Sequence, residues 1–337
     1  MNEYGTKVKI LTGITPGNIS PEILNAETPI ILKDFTSAWP IVIAGKKSVH
    51  TAMSYLQPFD NGAAVNASYV PHEAQGRVYY NDDMTGFNFE SSQQPVSTIL
   101  ADIAGAIDSD LLKSVYFSAP IYQCLPELAN QIPFPAAPDN ALVNIWIGNK
   151  SRIAAHYDFA QNVACCVVGR RKFTLFPPEQ GKNLYVGPID KSPGGPEIST
   201  VDFHHPDFEK HPKFKYALQN AYIADLAPGD ALILPSMWWH HVEGLDDVNI
   251  LITHWWRNSP GFMGRPNNAL LHAILSLRDL PISQRDAWKE IFDHYIFNFD
   301  NNNFDHIPEQ AKSILASPLD ELSARKIRAE LQNLLRR

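Results

Sequence analysis

The sequence predicts a mainly β protein, a small barrel or jelly roll with an α/β extension before it and a helical tail after it. Three observations carry this. Short apolar runs between residues 141 and 256 are stopped by Pro or Gly, as at Pro177-Pro178 and Pro228-Gly229. Proline is frequent, 26 of 337 residues, against an average of ~5 %. Sustained helical spacing of apolar residues comes only after Pro260.

The length fits roughly two domains of ~150 residues, or one large β domain with additions. The expected division is an extension over 1–110 packing on the barrel, a barrel core over 111–260 and a helical region over 261–337. In the extension, Pro21-Glu22-Ile23-Leu24 after Ser20 reads as a short helix with Pro at its first position, and Pro29 to Leu32 as a strand. Trp39-Pro40 closes that unit, and Asn81-Asp82-Asp83 is a loop. Strands are expected over 112–123, 141–147, 162–168, 172–176, 231–235 and 248–256. A proline-rich loop covers 133–139, a long loop covers 179–220, and Leu226 to Asp230 is a turn.

The tail should hold three helices. Asn267 to Arg278 carries Leu270, Leu271, Ile274 and Leu275 on one face. Ser283 to Phe297 opens with Ser283 and Asp286, resembling a capping box. Leu319 to Leu335 starts at Ser317-Pro318 and ends in Arg336-Arg337, basic residues suited to a helix C-terminus. These helices read as cover for the barrel or as a homodimer interface over 265–337.

Composition excludes several classes. Lys plus Arg is 28 and Asp plus Glu is 36, a net charge of −8, which disfavours a general nucleic-acid binder. No apolar run approaches the ~20 residues of a membrane span. The opening Met1-Asn2-Glu3-Tyr4-Gly5 is unlike a secretory leader. Three cysteines, two of them adjacent at 165 and 166, do not make a disulfide framework, so a reducing, cytoplasmic compartment is expected.

Two stretches carry chemistry. In His156-Tyr157-Asp158 an extended backbone turns the imidazole and the carboxylate to one side. The second stretch runs from Leu232 through Pro235 to Trp238-Trp239-His240-His241. Successive histidines point apart, so only one of that pair can join His156. Two imidazoles and one carboxylate on one face of a metal form the donor set of non-haem Fe(II) oxygenases, with positions left open. A zinc hydrolase needs only one open position.

These stretches, with Gly169-Arg170-Arg171-Lys172-Phe173-Thr174-Leu175-Phe176-Pro177-Pro178, Asn183-Leu184-Tyr185 and Gly229-Asp230, resemble the cupin-like Jumonji C oxygenases. The resemblance spans residues 20–260 and is densest over 140–256. Its nearest branch holds the asparaginyl hydroxylase of hypoxia-inducible factor and its bacterial relatives. It implies a double-stranded β-helix, Fe(II), 2-oxoglutarate as cosubstrate and O₂. It implies His156, Asp158 and His240 as iron ligands, with His241 in a supporting or outward role.

Arg171 takes the place of the family's lysine for the distal carboxylate of 2-oxoglutarate, and Lys172 follows it. An arginine can pair bidentately with a carboxylate. Tyr116 and Asn162 match residues near the cosubstrate. Ile153 replaces a threonine, His254 stands where the asparaginyl hydroxylase has Asn, and Trp256 matches an aromatic beside the iron. Trp239, Trp255 and Trp256 would suit a dry wall. The implied activity is hydroxylation of a C–H bond on a protein side chain or small molecule, with release of succinate and CO₂. A cupin enzyme that binds metal without 2-oxoglutarate, and a non-catalytic binding module, use the same residues.

Overall fold

The computed structural model describes residues 5–107 and 114–336. Residues 112–113 of an expected strand, the expected boundary at 110/111 and the final Arg337 lie outside the described residues. The chain divides into two compact units, Met1–Arg257 and Asn258–Arg337.

The first unit is built from fifteen described strands. Six precede residue 100: β1 Thr6–Lys7, β2 Lys9–Leu11, β3 Ile30–Leu32, β4 Val65–Val70, β5 Arg77–Val78 and β6 Glu90–Gln94. Next come β7 Ser114–Pro120, β8 Leu142–Gly148, β9 Arg152–His156, β10 Gln161–Val168 and β11 Arg171–Phe176. The last four are β12 Tyr222–Leu226, β13 Ala231–Leu234, β14 Trp239–Gly244 and β15 Asn249–Trp256. They form two open sheets, in the orders β1-β12-β11-β14-β9-β5 and β2-β3-β13-β10-β15-β8-β7-β4-β6. The expected jelly roll is therefore a pair of sheets and not a closed barrel.

Two apolar layers follow from side-chain alternation. Ala164, Cys166, Leu232, Leu234 and Leu251 of the larger sheet pack with Phe173, Leu175, Leu226 and Val242 of the smaller one. Their neighbours Val163, Cys165, Ile233, Ile250 and Ile252 point the other way. They pack on residues of α1 Pro21–Leu24, α2 Pro40–Lys47, α3 Val49–Leu56 and α4 Val96–Ile107. The central strands are thus apolar on both faces, as strands buried on both sides must be.

The structure changes several sequence expectations. Pro40 opens α2 at its first position, where its missing N–H costs nothing, and does not close a unit. The N-terminal region is part of both sheets: β1 and β5 pair with β12 and β9, while β3 and β4 pair with β13 and β7. These additions satisfy backbone edges that the central strands would otherwise expose. Strand β12 was not expected: only its last residue, Leu226, falls in an expected element, the turn from Leu226 to Asp230. Its five residues carry Asp225 between Ala224 and Leu226, too short a pattern to stand out.

The second unit holds α-helices over Pro266–Leu277, Ile282–Phe292 and Glu321–Leu334. Ser283 lies inside its helix, whose N-cap is Pro281, so the capping-box start is not formed. The last helix is capped by Asp320, whose side chain accepts from Ser323 N, and not by Ser317-Pro318. Among the described residues, no helix is long and apolar enough to cross a membrane.

Gly169 sets the turn between β10 and β11. Its φ is +69°, and a Cβ there would stand 2.3 Å from Val248 O and 2.6 Å from Asn249 Oδ1. Gly169→Ala should therefore lower stability by about 2 kcal/mol, from left-handed strain plus the backbone clash. Urea unfolding checks this; an unchanged midpoint would refute it.

Candidate metal centre and its pocket

The centre is assembled by one cross-strand pair. His156 ends β9 and stands opposite His240 of β14. Between His240/His156 and Val242/Ile153 the register shifts by one residue. This bulge brings Ile153 and His156 to the same face, although three residues separate them. Asp158 follows in the turn, where its carbonyl accepts from Met237 N at 2.7 Å. Met237 takes φ +68° there, which locks the approach to β14.

The ligand atoms converge. Atoms of His156, Asp158 and His240 lie within 4.8 Å of one another. The imidazole centroids are 4.2 Å apart, and His240 Nε2 is 3.6 Å from Asp158 Oδ2. His156 Nδ1 donates to Ala154 O at 2.8 Å, and His240 Nδ1 donates to Trp238 O at 3.0 Å. A carbonyl only accepts, so each Nδ1 carries the proton and each Nε2 keeps a free lone pair. Burial, then the nearby His156, pulls the pKa of His240 down to about 4, so its ring is neutral at physiological pH. Among the described residues this is the one group of three His, Cys, Asp or Glu side chains that converges so closely. Two imidazoles with Nε2 turned inward and a carboxylate on one side suit a divalent iron with open positions.

The centre opens into a cavity of about 250 Å³. Arg171, Tyr116 and Asn162 line it with the triad, as does Ile153. Arg171 is 2 % exposed, and among the described residues the one hydrogen bond of its guanidinium is a long one from Nη2 to Asn249 O at 3.5 Å. Its Nε, Asn162 Oδ1 and Trp255 Nε1 are buried without a partner. Burial lowers the pKa of Arg171, with Tyr116 opposing that shift, and burial raises the pKa of the Tyr116 hydroxyl. A buried guanidinium without a counter-charge is costly, so this end of the cavity is chemically suited to a carboxylate.

Three expected cosubstrate contacts lie elsewhere. Lys172 follows Arg171 on β11 and so faces away from the cavity, paired across strands with Asp225 and Glu243. His254 and Trp256 occupy the outer face of β15. The His254 ring packs on Phe134 at 4.9 Å and Trp39 at 6.1 Å, and Trp256 belongs to the outer apolar layer. The residues that face inward are Thr253 and Trp255, one position earlier in each case. Thr253 Oγ1 accepts from Trp146 Nε1 at 2.9 Å, and Trp146 also lines the cavity. Sequence reasoning missed Thr253 and Trp146 because β15 and β8 are apolar on both faces, so their parity cannot be read from hydropathy.

Trp239 and His241, the remaining candidates, have structural settings, as do Arg152 and His204 nearby. Trp239 packs on Tyr157 at 4.9 Å in a cluster outside the cavity. His241 points outward, buried against Phe203 at 4.4 Å. Arg152 is tied to Gln75 O, Ala74 O and Asp202. His204 bonds Glu243 at 2.5 Å.

A sequence model of the cupin-like domain family matches residues 16–262. The chain belongs to this family. Among curated relatives, lysine-specific demethylase JMJ31 of Arabidopsis thaliana is 30 % identical over 118 residues, 35 % of this chain and 21 % of that protein. HSPB1-associated protein 1 of Homo sapiens is 31 % identical over 135 residues, 39 % of this chain and 27 % of that protein. JmjC domain-containing protein C of Dictyostelium discoideum is 31 % identical over 202 residues, 55 % of this chain and 46 % of that protein. The match therefore spans less than half the length of each of these relatives. The recognised family is the cupin-like JmjC one.

In this cupin-like chain His254 offers a separate test of burial. Burial alone pulls its pKa down from 6.5 to about 4, and its Nδ1 has no partner. Below pH 6.5 the unfolded chain gains a proton that the folded chain refuses, so stability falls as pH drops from 6.5 towards 4. Above pH 6.5 both states are neutral and the contribution vanishes. His254→Phe should remove about 1–2 kcal/mol of the stability lost between about pH 7.5 and about pH 5. Urea midpoints at the two pH values decide, and equal acid sensitivity of variant and parent would refute the assignment.

Proposed function

We propose that the chain is an Fe(II)- and 2-oxoglutarate-dependent oxygenase that hydroxylates a C–H bond of a protein side chain or small molecule. The observation that supports this best is the presence, in one cavity, of the His156, Asp158 and His240 set and a buried Arg171 with an unpartnered Nε. A cupin holding metal without a carboxylate cosubstrate would leave that guanidinium without a counter-charge. Bound together, Fe(II) and the 2-oxo acid would supply the activation of O₂ needed to oxidise an unreactive C–H bond, with succinate and CO₂ as products.

The chain's own residues then have definite tasks. The carbonyls of Ala154 and Trp238 fix both imidazoles in the tautomer that points Nε2 at the metal. Arg171 would clamp the distal carboxylate, and Tyr116 would donate its hydroxyl proton nearby. Asn162 Oδ1 and Trp255 Nε1, paired across β10 and β15, would orient polar atoms of the bound species. Trp146 and Trp255, 5.6 Å apart, would keep that wall dry. The three described cysteines are free and buried, which supports a reducing, cytoplasmic compartment in this reading.

His156→Ala and Asp158→Ala should each abolish conversion of 2-oxoglutarate to succinate. Arg171→Met should weaken 2-oxoglutarate binding on the order of a hundredfold, through loss of a buried charge pair, and leave metal binding intact. Succinate assays and calorimetry read the two effects. Turnover in the triad variants, or unchanged affinity in Arg171→Met, would overturn the reading.

The tail carries the partner proposal. Leu271, Leu275, Phe297 and Leu335 are between 52 % and 76 % exposed in the unit Asn258–Arg337. Apolar surface of this kind marks an interaction site. We propose that a second copy of the chain covers it. Light scattering should show a dimer that Leu271→Glu with Leu275→Glu converts to a monomer; a monomeric parent would reject this.

A further inference from the structure

The cavity walls carry two charged side chains, Asp158 and Arg171, apart from the neutral His240 and its partner His156. The proposed function, on which this inference rests, assigns both charges to metal and cosubstrate. What remains at the mouth is polar but uncharged. Asn66 and Ser68 of β4 and Ser118 of β7 line it. The register places Ser68 between Ser91 and Tyr116 and sets Gln93 beside Asn66, so these side chains share one face of the larger sheet. Among the described residues, the side chains of Asn66, Ser68 and Ser118 form no hydrogen bond with the protein.

The facing wall is apolar, from Val78, Pro193, Pro196 and Ile198. Asp190 and Glu197 stand on the same segment but do not line the cavity, and Glu197 is held by Tyr157 Oη at 2.8 Å. Beyond this shelf, β6 is the last strand of its sheet, and among the described residues one of its backbone edges pairs with no strand. Such an edge and a row of amide and hydroxyl groups suit the backbone of an extended chain.

We propose that the substrate is an extended peptide segment that presents an uncharged side chain to the metal centre, and that lysine-type ammonium groups are rejected. An ammonium entering this mouth is desolvated with no carboxylate left to receive it. An uncharged side chain meets apolar carbon on one wall and hydrogen-bonding groups on the other. The reaction balances as a hydroxylation: the C–H carbon takes one oxygen atom of O₂, and the other enters succinate as 2-oxoglutarate loses CO₂.

The test uses the full chain and a pool of short peptides with random flanks. Their central residue is Asn, Gln, Leu, Val, Lys, trimethyl-lysine or Arg. Peptides retained on immobilised metal-loaded protein are counted by mass spectrometry, and the same pool is then turned over with Fe(II) and 2-oxoglutarate. Neutral centres should be retained, and gain one oxygen, at least about tenfold more than cationic ones. Ser68→Asp, which adds a carboxylate to the exposed shelf, should shift retention towards the cationic centres. Equal or greater retention of trimethyl-lysine, held by the rings of Trp146 and Trp255, would overturn the inference, as would retention of no peptide. Calorimetry with 2-oxoglutarate separates the two levels. Intact cosubstrate binding with a cationic preference removes only this inference, whereas absent cosubstrate binding removes the oxygenase reading and this inference with it.

Discussion

The register of β9 against β14 is the constraint on which the rest of the site depends. His156 and His240 meet because they are directly paired, and a slip of one residue would turn His240 outward and bring His241 in. Three features hold that register. The bulge at 153–156 absorbs one residue, the Met237–Asp158 backbone bond ties the two turns together, and Met237 accepts a left-handed φ to make it. The next strand continues the order: Leu175 of β11 stands opposite His240, and Arg171 stands opposite Gly244. Four residues of strand, about 13 Å, thus separate the metal end from the guanidinium end. Rigid sheet sets the length of the cavity, and loops contribute Asp158 and part of its mouth.

Two buried arginines of this sheet differ in how much of their hydrogen-bonding capacity the fold itself uses. Arg152 opens β9 and satisfies its guanidinium with two carbonyls and Asp202. Arg171 opens β11 and is more deeply buried, yet it has one long hydrogen bond and an unpartnered Nε. In the first, each of the three guanidinium nitrogens donates within the fold. The second keeps binding capacity that folding does not use, at a cost to stability. Asn162 Oδ1 and Trp255 Nε1 repeat the pattern a few residues away. Orphan donors and acceptors collected on one cavity wall are what a polar ligand would satisfy.

Much of this was legible in the sequence, for identifiable reasons. The strands over 142–148, 161–168, 171–176, 231–234 and 249–256 announced themselves as compact apolar runs, three of them stopped at once by Gly169, Pro177 or Pro235. The triad was legible because an extended His-x-Asp and one histidine of an adjacent pair suit a metal, and the resemblance to the cupin-like Jumonji C oxygenases picked His240 from that pair. Parity inside β15 was not legible. Ile250, Ile252, His254 and Trp256 face one apolar layer, while Leu251, Thr253 and Trp255 face another, and hydropathy cannot tell the two apart. Strands β1, β2 and β5 were illegible for a different reason. Two or three residues cannot show a period, and they exist as strands only because an existing sheet edge recruits them.

The larger sheet also explains why the cavity has a polar mouth. At β10 and β15 its inner face meets the smaller sheet, and the side chains there are Ala164, Cys166 and Leu251. At β4 and β6 the same face carries Asn66, Ser68, Ser91 and Gln93, which are partly or fully exposed. A buried position would penalise those amides and hydroxyls unless each found a partner. Their presence, unbonded, means that this end of the sheet folds facing water. The metal centre and Arg171 lie in the zone where the inner face changes from apolar to polar. In the proposed oxygenase reading, a substrate that reaches the triad crosses from hydrogen-bonding groups into a drier interior, and the sheet itself grades that transfer.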